Sequence, residues 1–81
     1  MLDTQQERIK RITPTTIIVG IDVAKELHYA RIIDHRGIDL MKPVKVNNNI
    51  DGFESLVAKI EKMRKKYNCD QVIIGMEPSG H

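Results

Sequence analysis

Two short apolar runs, one near each end of the chain, constrain the fold most. The first covers residues 16–22 and is almost continuous in β-branched side chains, and the second covers residues 71–76. Runs of this kind, without polar alternation, are typical of strands that are buried on both faces. Parallel neighbours require a crossover connection, which is normally right-handed. The two runs therefore predict adjacent parallel strands in one small α/β domain.

A hairpin is predicted between these runs. Residues 27–33 and 38–46 are expected to form its two strands, and residues 34–37 form a turn with Asp first and Gly fourth. Pro43 has no N–H to donate, which places the later strand at an edge of the sheet.

An amphipathic helix is predicted over residues 50–66, with Asn49 or Asp51 as its cap. Apolar residues recur there at helical spacing, and they are Phe53, Leu56, Val57, Ile60, Met63 and Tyr67. The predicted structure is a mixed four-stranded sheet in the strand order 3-2-1-4. The helix packs on one face and connects the third strand to the fourth.

Length and composition exclude several classes of protein. A chain of 81 residues with 41% hydrophobic and 30% charged content is typical of one small globular domain. Its single cysteine, Cys69, excludes an internal disulfide framework. The longest apolar stretch, residues 17–21, is far shorter than the ~20 residues of a membrane span. No secretory signal begins the chain, so we expect a cytoplasmic protein with no membrane partner.

Residues 1–15 are predicted to be a flexible N-terminal arm, because they are polar and carry no apolar stripe. Arg8, Lys10 and Arg11 in this arm are candidate nucleic-acid contacts, and the alternative is that they are simply solvated. The net charge of +2 does not decide between these interpretations.

The candidate site lies where the two apolar runs end. Gly20 and Asp22 close the first run, and Gly75 and Glu77 close the second with the same spacing. On parallel neighbouring strands, which are ~4.8 Å apart, the two carboxylates would lie side by side. Such a pair can share or bridge divalent cations, which offset its charge repulsion. The alternative interpretation is that both acids only begin loops or cap a helix.

These motifs resemble a known family. The segments GIDVAK at 20–25 and EPSGH at 77–81 resemble the two N-terminal motifs of the DEDD-type insertion-sequence transposases, relatives of the Piv and MooV DNA invertases. The pattern Asn49-x-x-Gly52-Phe53 resembles that family as well, and the resemblance covers residues 17–81. It implies a RuvC-like domain of ribonuclease H fold, in which four acidic residues bind divalent metal for DNA strand cleavage and exchange.

The resemblance also implies roles for particular residues. Residues 16–81 would be the N-terminal part of the ribonuclease H-like catalytic domain. Asp22 matches the first Asp of the tetrad and Glu77 its Glu, so both are expected to be catalytic and metal-binding. The other two acids and a serine-bearing C-terminal domain have no counterpart. We therefore expect a fragment that binds Mg²⁺ or Mn²⁺ weakly and does not cut DNA.

Partners follow from the same resemblance. DNA is the implied substrate, and guide RNA is a further partner of the family that no residue here locates.

Lys25 follows the first carboxylate closely and is a candidate contact to a scissile phosphate or a solvated side chain. A homo-oligomer is expected, because the last strand would present an open apolar edge.

Two other functions share parts of the pattern. A nucleotide-binding module of the actin or sugar-kinase type also begins with a strand that ends in Asp. That class needs a Gly-Thr type phosphate turn next, which residues 23–25 do not supply. A non-catalytic assembly module is the third possibility, with an exposed sheet as its working surface.

Overall fold

The computed structural model describes residues 12–78. The elements are β1 (Thr16–Val23), β2 (Leu27–Ile33), β3 (Val44–Asn47), α1 (Ile50–Lys66) and β4 (Gln71–Pro78). The strands form one sheet in the order β3-β2-β1-β4, with β2 antiparallel and β4 parallel to β1. The mixed sheet, its strand order and the crossover helix are therefore as predicted. Within residues 12–78, no helix is long and apolar enough to cross a membrane.

The residues just before β1 connect it to β4. Thr13 accepts the backbone N–H of Thr16 at 3.0 Å, and the Thr15 carbonyl accepts that of Asp70 at 3.1 Å. The Thr15 hydroxyl also donates to the Asp70 carboxylate at 2.8 Å. The starts of β1 and β4 are thereby held side by side. The rest of the predicted arm, with Arg8, Lys10 and Arg11, lies outside the described residues.

The core lies between α1 and one face of the sheet. Alternating side chains of the first three strands are buried there, namely Ile17, Val19, Ile21, Ala30, Ile32, Val44 and Val46. Leu56, Ile60 and Met63 complete the core from the helix. On the same face of β4, Ile74 is 51% and Met76 67% exposed. The helix therefore covers β1 to β3 and leaves the β4 side uncovered.

Half of the predicted apolar stripe of α1 does not reach the core. Phe53, Val57 and Tyr67 remain exposed, whereas the other three members of the stripe are buried. The helix contributes Leu56, Ile60 and Met63 to the core, and the other members of the stripe stay outside it. Phe53 instead stacks on the His28 ring, with ring centroids 5.8 Å apart.

The turn after β2 forms as predicted. Gly37 donates its N–H to the Asp34 carbonyl at 3.0 Å and has a φ of 86°, which favours glycine. The Asp34 carboxylate accepts the backbone N–H groups of Ile38 and Arg36 at 3.0 and 2.8 Å. The Ile38 hydrogen bond is the main reason that the pKa of Asp34 falls to about 2. Asp34 is therefore a turn residue and not part of the candidate site.

The predicted third strand over residues 38–46 is wrong in its first half. Only Val44–Asn47 is a strand, and a single bridge joins Asp39 to Ile33. Ala30 pairs with Val44. Between this pair and the Ile33–Asp39 bridge, β2 advances three residues while the chain opposite it advances five. The two extra residues form a bulge that includes Pro43, which cannot donate to the ladder. The bulge lets the consecutive residues Leu40 and Met41 both pack against the core.

Gly52 holds the start of α1 close to the end of β3. The Asn49 side chain caps the helix by accepting the Gly52 N–H at 2.7 Å. A Cβ at position 52 would lie 2.9 Å from the carbonyl carbon and the amide nitrogen of Asn47 and would overlap its carbonyl oxygen. Only glycine permits this approach, which sets where the crossover helix begins.

We expect Gly52→Ala to destabilise the protein, although alanine favours a helix interior over glycine by about 1 kcal/mol. The clash with the Asn47 backbone should outweigh this gain and cost about 1–3 kcal/mol of unfolding free energy. Gly20→Ala is the matched control, because a Cβ there meets nothing within 4 Å. Urea unfolding of the three proteins measures both changes. A Gly52→Ala protein as stable as the wild type would contradict the close contact.

Candidate metal-binding site at the ends of β1 and β4

The two strand-end motifs are in register. Gly20 lies opposite Gly75 and Asp22 lies opposite Glu77 in the parallel pairing of β1 with β4. Ile21, which precedes Asp22, is buried under α1, and side chains alternate along a strand. Asp22 and Glu77 therefore project together from the face that α1 does not cover. The sequence correctly predicted that the two carboxylates are neighbours.

The two carboxylates fit a hard divalent cation by their chemistry. Both residues are exposed, and neither forms a salt bridge with another residue of the described part of the chain. Ionised carboxylates are acceptor-only groups, and two of them side by side repel each other. Mg²⁺ is often held by one or two carboxylates, with water and phosphate oxygens completing its shell. Over residues 12–78, no group of three or more His, Cys, Asp and Glu side chains could hold a metal.

A buried histidine shapes the loop that follows Asp22. The His28 Nδ1 accepts the backbone N–H of Ala24 at 3.0 Å, and the ring is 4% exposed. This contact satisfies the first amide of the loop and ties the loop to β2. His28 therefore has a structural role.

Lys25 lies in the same loop, at the carboxylate end of the sheet. Its side chain is exposed, and its backbone carbonyl accepts the Asn48 side-chain amide at 3.2 Å. Asn48 also donates its backbone N–H to Glu26 at 3.2 Å. Two loops are thereby joined beside the carboxylate pair, and Lys25 is held at the edge of the candidate site.

Sequence reasoning missed the part that β2 contributes to this face. Tyr29 lies opposite Asp22, and Arg31 lies opposite Gly20. Together with the four motif residues they line an open trough of about 620 Å³. The alternation of β2 gives this orientation, because His28, Ala30 and Ile32 are buried and the residues between them, Tyr29 and Arg31, must face the other way.

Asp22 and Glu77 lie at the carboxyl ends of adjacent parallel strands. Open α/β sheets bind their ligands at this edge. A sequence model of the DEDD transposases of the IS110 type, described as a transposase, matches residues 19–81. The chain therefore belongs to this transposase family, as the resemblance predicted, and the family implies interaction with DNA. No curated protein sequence matches the chain.

The carboxylate pair should cost stability when no cation is present. We expect Asp22→Asn to raise the free energy of unfolding by roughly 0.5 kcal/mol in EDTA at low salt, because it removes a like-charge cross-strand pair. In ~1 M salt, where the Debye length is ~3 Å, this gain should shrink. Urea unfolding at the two salt concentrations measures the difference.

Glu54→Gln is the control for this measurement, because it removes the same charge from an exposed position of α1. A gain of the same size in both variants would mean that general charge, and not the Asp22–Glu77 pair, sets the effect.

Proposed function

We propose that this chain carries part of the metal-dependent site with which a transposase cleaves and exchanges DNA strands, in a domain of ribonuclease H-like fold. The observation that carries the proposal is the register that sets Asp22 opposite Glu77 on an exposed face. The family match over residues 19–81 supports the same assignment. The parallel β1–β4 pair and its crossover helix support the fold.

Each residue has a defined part in the proposal. Asp22 and Glu77 hold Mg²⁺ or Mn²⁺, and Lys25 contacts a phosphate at the loop beside them. A bound cation would supply charge stabilisation to a phosphodiester under attack. Two carboxylates are few ligands for a divalent ion, so the binding by residues 12–78 alone is weak. Water and phosphate oxygens would complete the shell.

The metal site predicts a residue-specific response to Mn²⁺. Titration into the wild type should broaden the NMR signals of amides next to the carboxylates, such as those of Val23 and Met76, before other signals. Asp22→Asn and Glu77→Gln should each remove most of this selective broadening, because each variant loses one of the two carboxylates and no substrate phosphate is present to complete the shell.

Glu54→Gln serves as the matched control and should broaden like the wild type, since Glu54 lies on α1. Equal broadening in Asp22→Asn and in the wild type would rule out the proposed metal site. Broadening that begins at another cluster of acids would have the same consequence.

We further propose that the chain forms a homo-oligomer through β4. This strand is the edge of the described sheet next to β1, and its Ile74 and Met76 are 51% and 67% exposed. An exposed apolar edge strand can pair with the same strand of a second copy, and lysine at such an edge opposes this pairing. The apolar side chains would be buried in the same contact.

Sedimentation velocity tests the oligomer. We expect the wild type to be dimeric or larger and Ile74→Lys to shift it towards the monomer. Val57→Lys places the same charge at an exposed apolar position of α1 and should leave the assembly unchanged. A wild type that sediments as a monomer at high concentration would contradict the proposal.

A further inference from the structure

We propose that one DNA strand binds beside Asp22 and Glu77, on the helix-free face, which is the face of the sheet that α1 does not cover. We call this binding surface the seat. Gly20 and Gly75 form its floor, and Arg31 binds a phosphate of the strand. This inference rests on the proposed function, because it places the DNA backbone next to Asp22 and Glu77. Arg31 is a positioning residue in this arrangement.

The floor is made of two glycines in register. Gly20 lies opposite Gly75, and a Cβ built on either one meets nothing within 4 Å. The glycines are therefore not required by packing within residues 12–78. They leave bare backbone between the row of Ile18 and Ile73 and the row of Asp22 and Glu77. Glycine in a strand interior commonly marks a site where a ligand or another backbone approaches closely.

Arg31 lies in the same cross-strand row as the two glycines. It pairs with Gly20, which in turn pairs with Gly75. Its Nε and Nη2 donate to the two carboxylate oxygens of Asp39 at 3.0 and 3.2 Å. This two-pronged geometry is the one that guanidinium groups also use for phosphate.

The Arg31–Asp39 ion pair is exchangeable. The side chains are 58% and 44% exposed, and ion pairs at the surface contribute little to stability. A phosphate that arrives at the glycine floor can therefore replace Asp39 as the partner of Arg31 at little cost.

The next row adds contacts that suit a nucleic acid. Tyr29 lies between Asp22 and Lys45 across the sheet, and both Tyr29 and Lys45 are exposed. An exposed tyrosine ring can stack on a base, and a lysine adds attraction for the phosphate backbone. The carboxylate pair, the glycine floor and the basic side chains of Arg31 and Lys45 thus lie on one face, together with the apolar side chains of Ile18 and Ile73. With a cation held by the carboxylates, the basic side chains favour a phosphodiester strand over an apolar occupant.

Fluorescence anisotropy with a short labelled single-stranded DNA in the presence of Ca²⁺ tests the seat. We expect Arg31→Gln to weaken binding about tenfold, as for loss of one charge-assisted contact. The slope of log affinity against log salt should fall by about 0.7. Arg36→Gln is the matched control, because Arg36 is similarly exposed and is paired with Asp34, but lies in the turn after β2, outside the row of Gly20 and Gly75. It should leave both quantities nearly unchanged.

A second pair of variants separates a phosphate contact from a structural role. Asp39→Asn releases Arg31 and should strengthen DNA binding, whereas loss of a purely structural pair would not. Glu61→Gln makes the same change of charge and releases Arg64 on α1, and it should have little effect. Gly75→Val fills the floor without meeting any described atom within 4 Å of its Cβ, and it should abolish binding while the protein stays folded.

The outcomes are distinguishable. Equal effects of Arg31→Gln and Arg36→Gln, an unaffected Gly75→Val protein, or a wild type that does not bind the DNA would each overturn the seat. Tighter binding of an RNA of the same sequence would overturn DNA as the occupant. If selective Mn²⁺ broadening is present but binding is independent of Arg31, only the seat fails. If binding depends on Arg31 and Gly75 but Mn²⁺ shows no preference for Asp22, the proposed metal function fails and the seat stands.

Discussion

The parallel register of β1 and β4 is the constraint on which the rest of the structure depends. It sets Asp22 opposite Glu77 and Gly20 opposite Gly75, and a slip of one residue would move one member of each pair to the other face. The register is held at both ends of the crossover. Thr15 hydrogen-bonds to Asp70 where the two strands begin, and Gly52 lets α1 start against the backbone of Asn47.

The sequence predicted those parts of the fold that follow from strong local patterns. β1, β2, α1 and β4 were predicted with bounds close to those observed, because β-branched runs and helical spacing leave few alternatives. The neighbouring carboxylates were predictable as well, since a right-handed crossover between adjacent parallel strands brings equivalent strand ends together. Both strands end with a glycine two residues before an acid. This repeated spacing identified Asp22 and Glu77 as the residues that would lie opposite each other.

The parts that were missed depend on how distant segments fit together. The bulge before β3 is not visible in an alternating pattern, because it arises where Leu40 and Met41 both turn towards the core. Local patterns also do not reveal that α1 stops short of β4, since that depends on the width of the sheet. The positions of Tyr29 and Arg31 beside the carboxylates depend on the antiparallel register of β1 with β2, which the patterns of the two separate strands do not set.

The helix-free face departs from what stability alone would favour. Two glycines occupy positions where β-branched residues would support the strands better, and two carboxylates repel each other in the next row. Packing within residues 12–78 requires neither feature, because a Cβ at Gly20 or Gly75 meets no neighbour. Local choices that oppose stability are expected at functional sites. On the opposite face, the alternating apolar side chains of β1 to β3 form the core under α1. The glycine pair and the acidic pair lie together on the other face, and this is the physical reason for proposing both the cation and the DNA strand there.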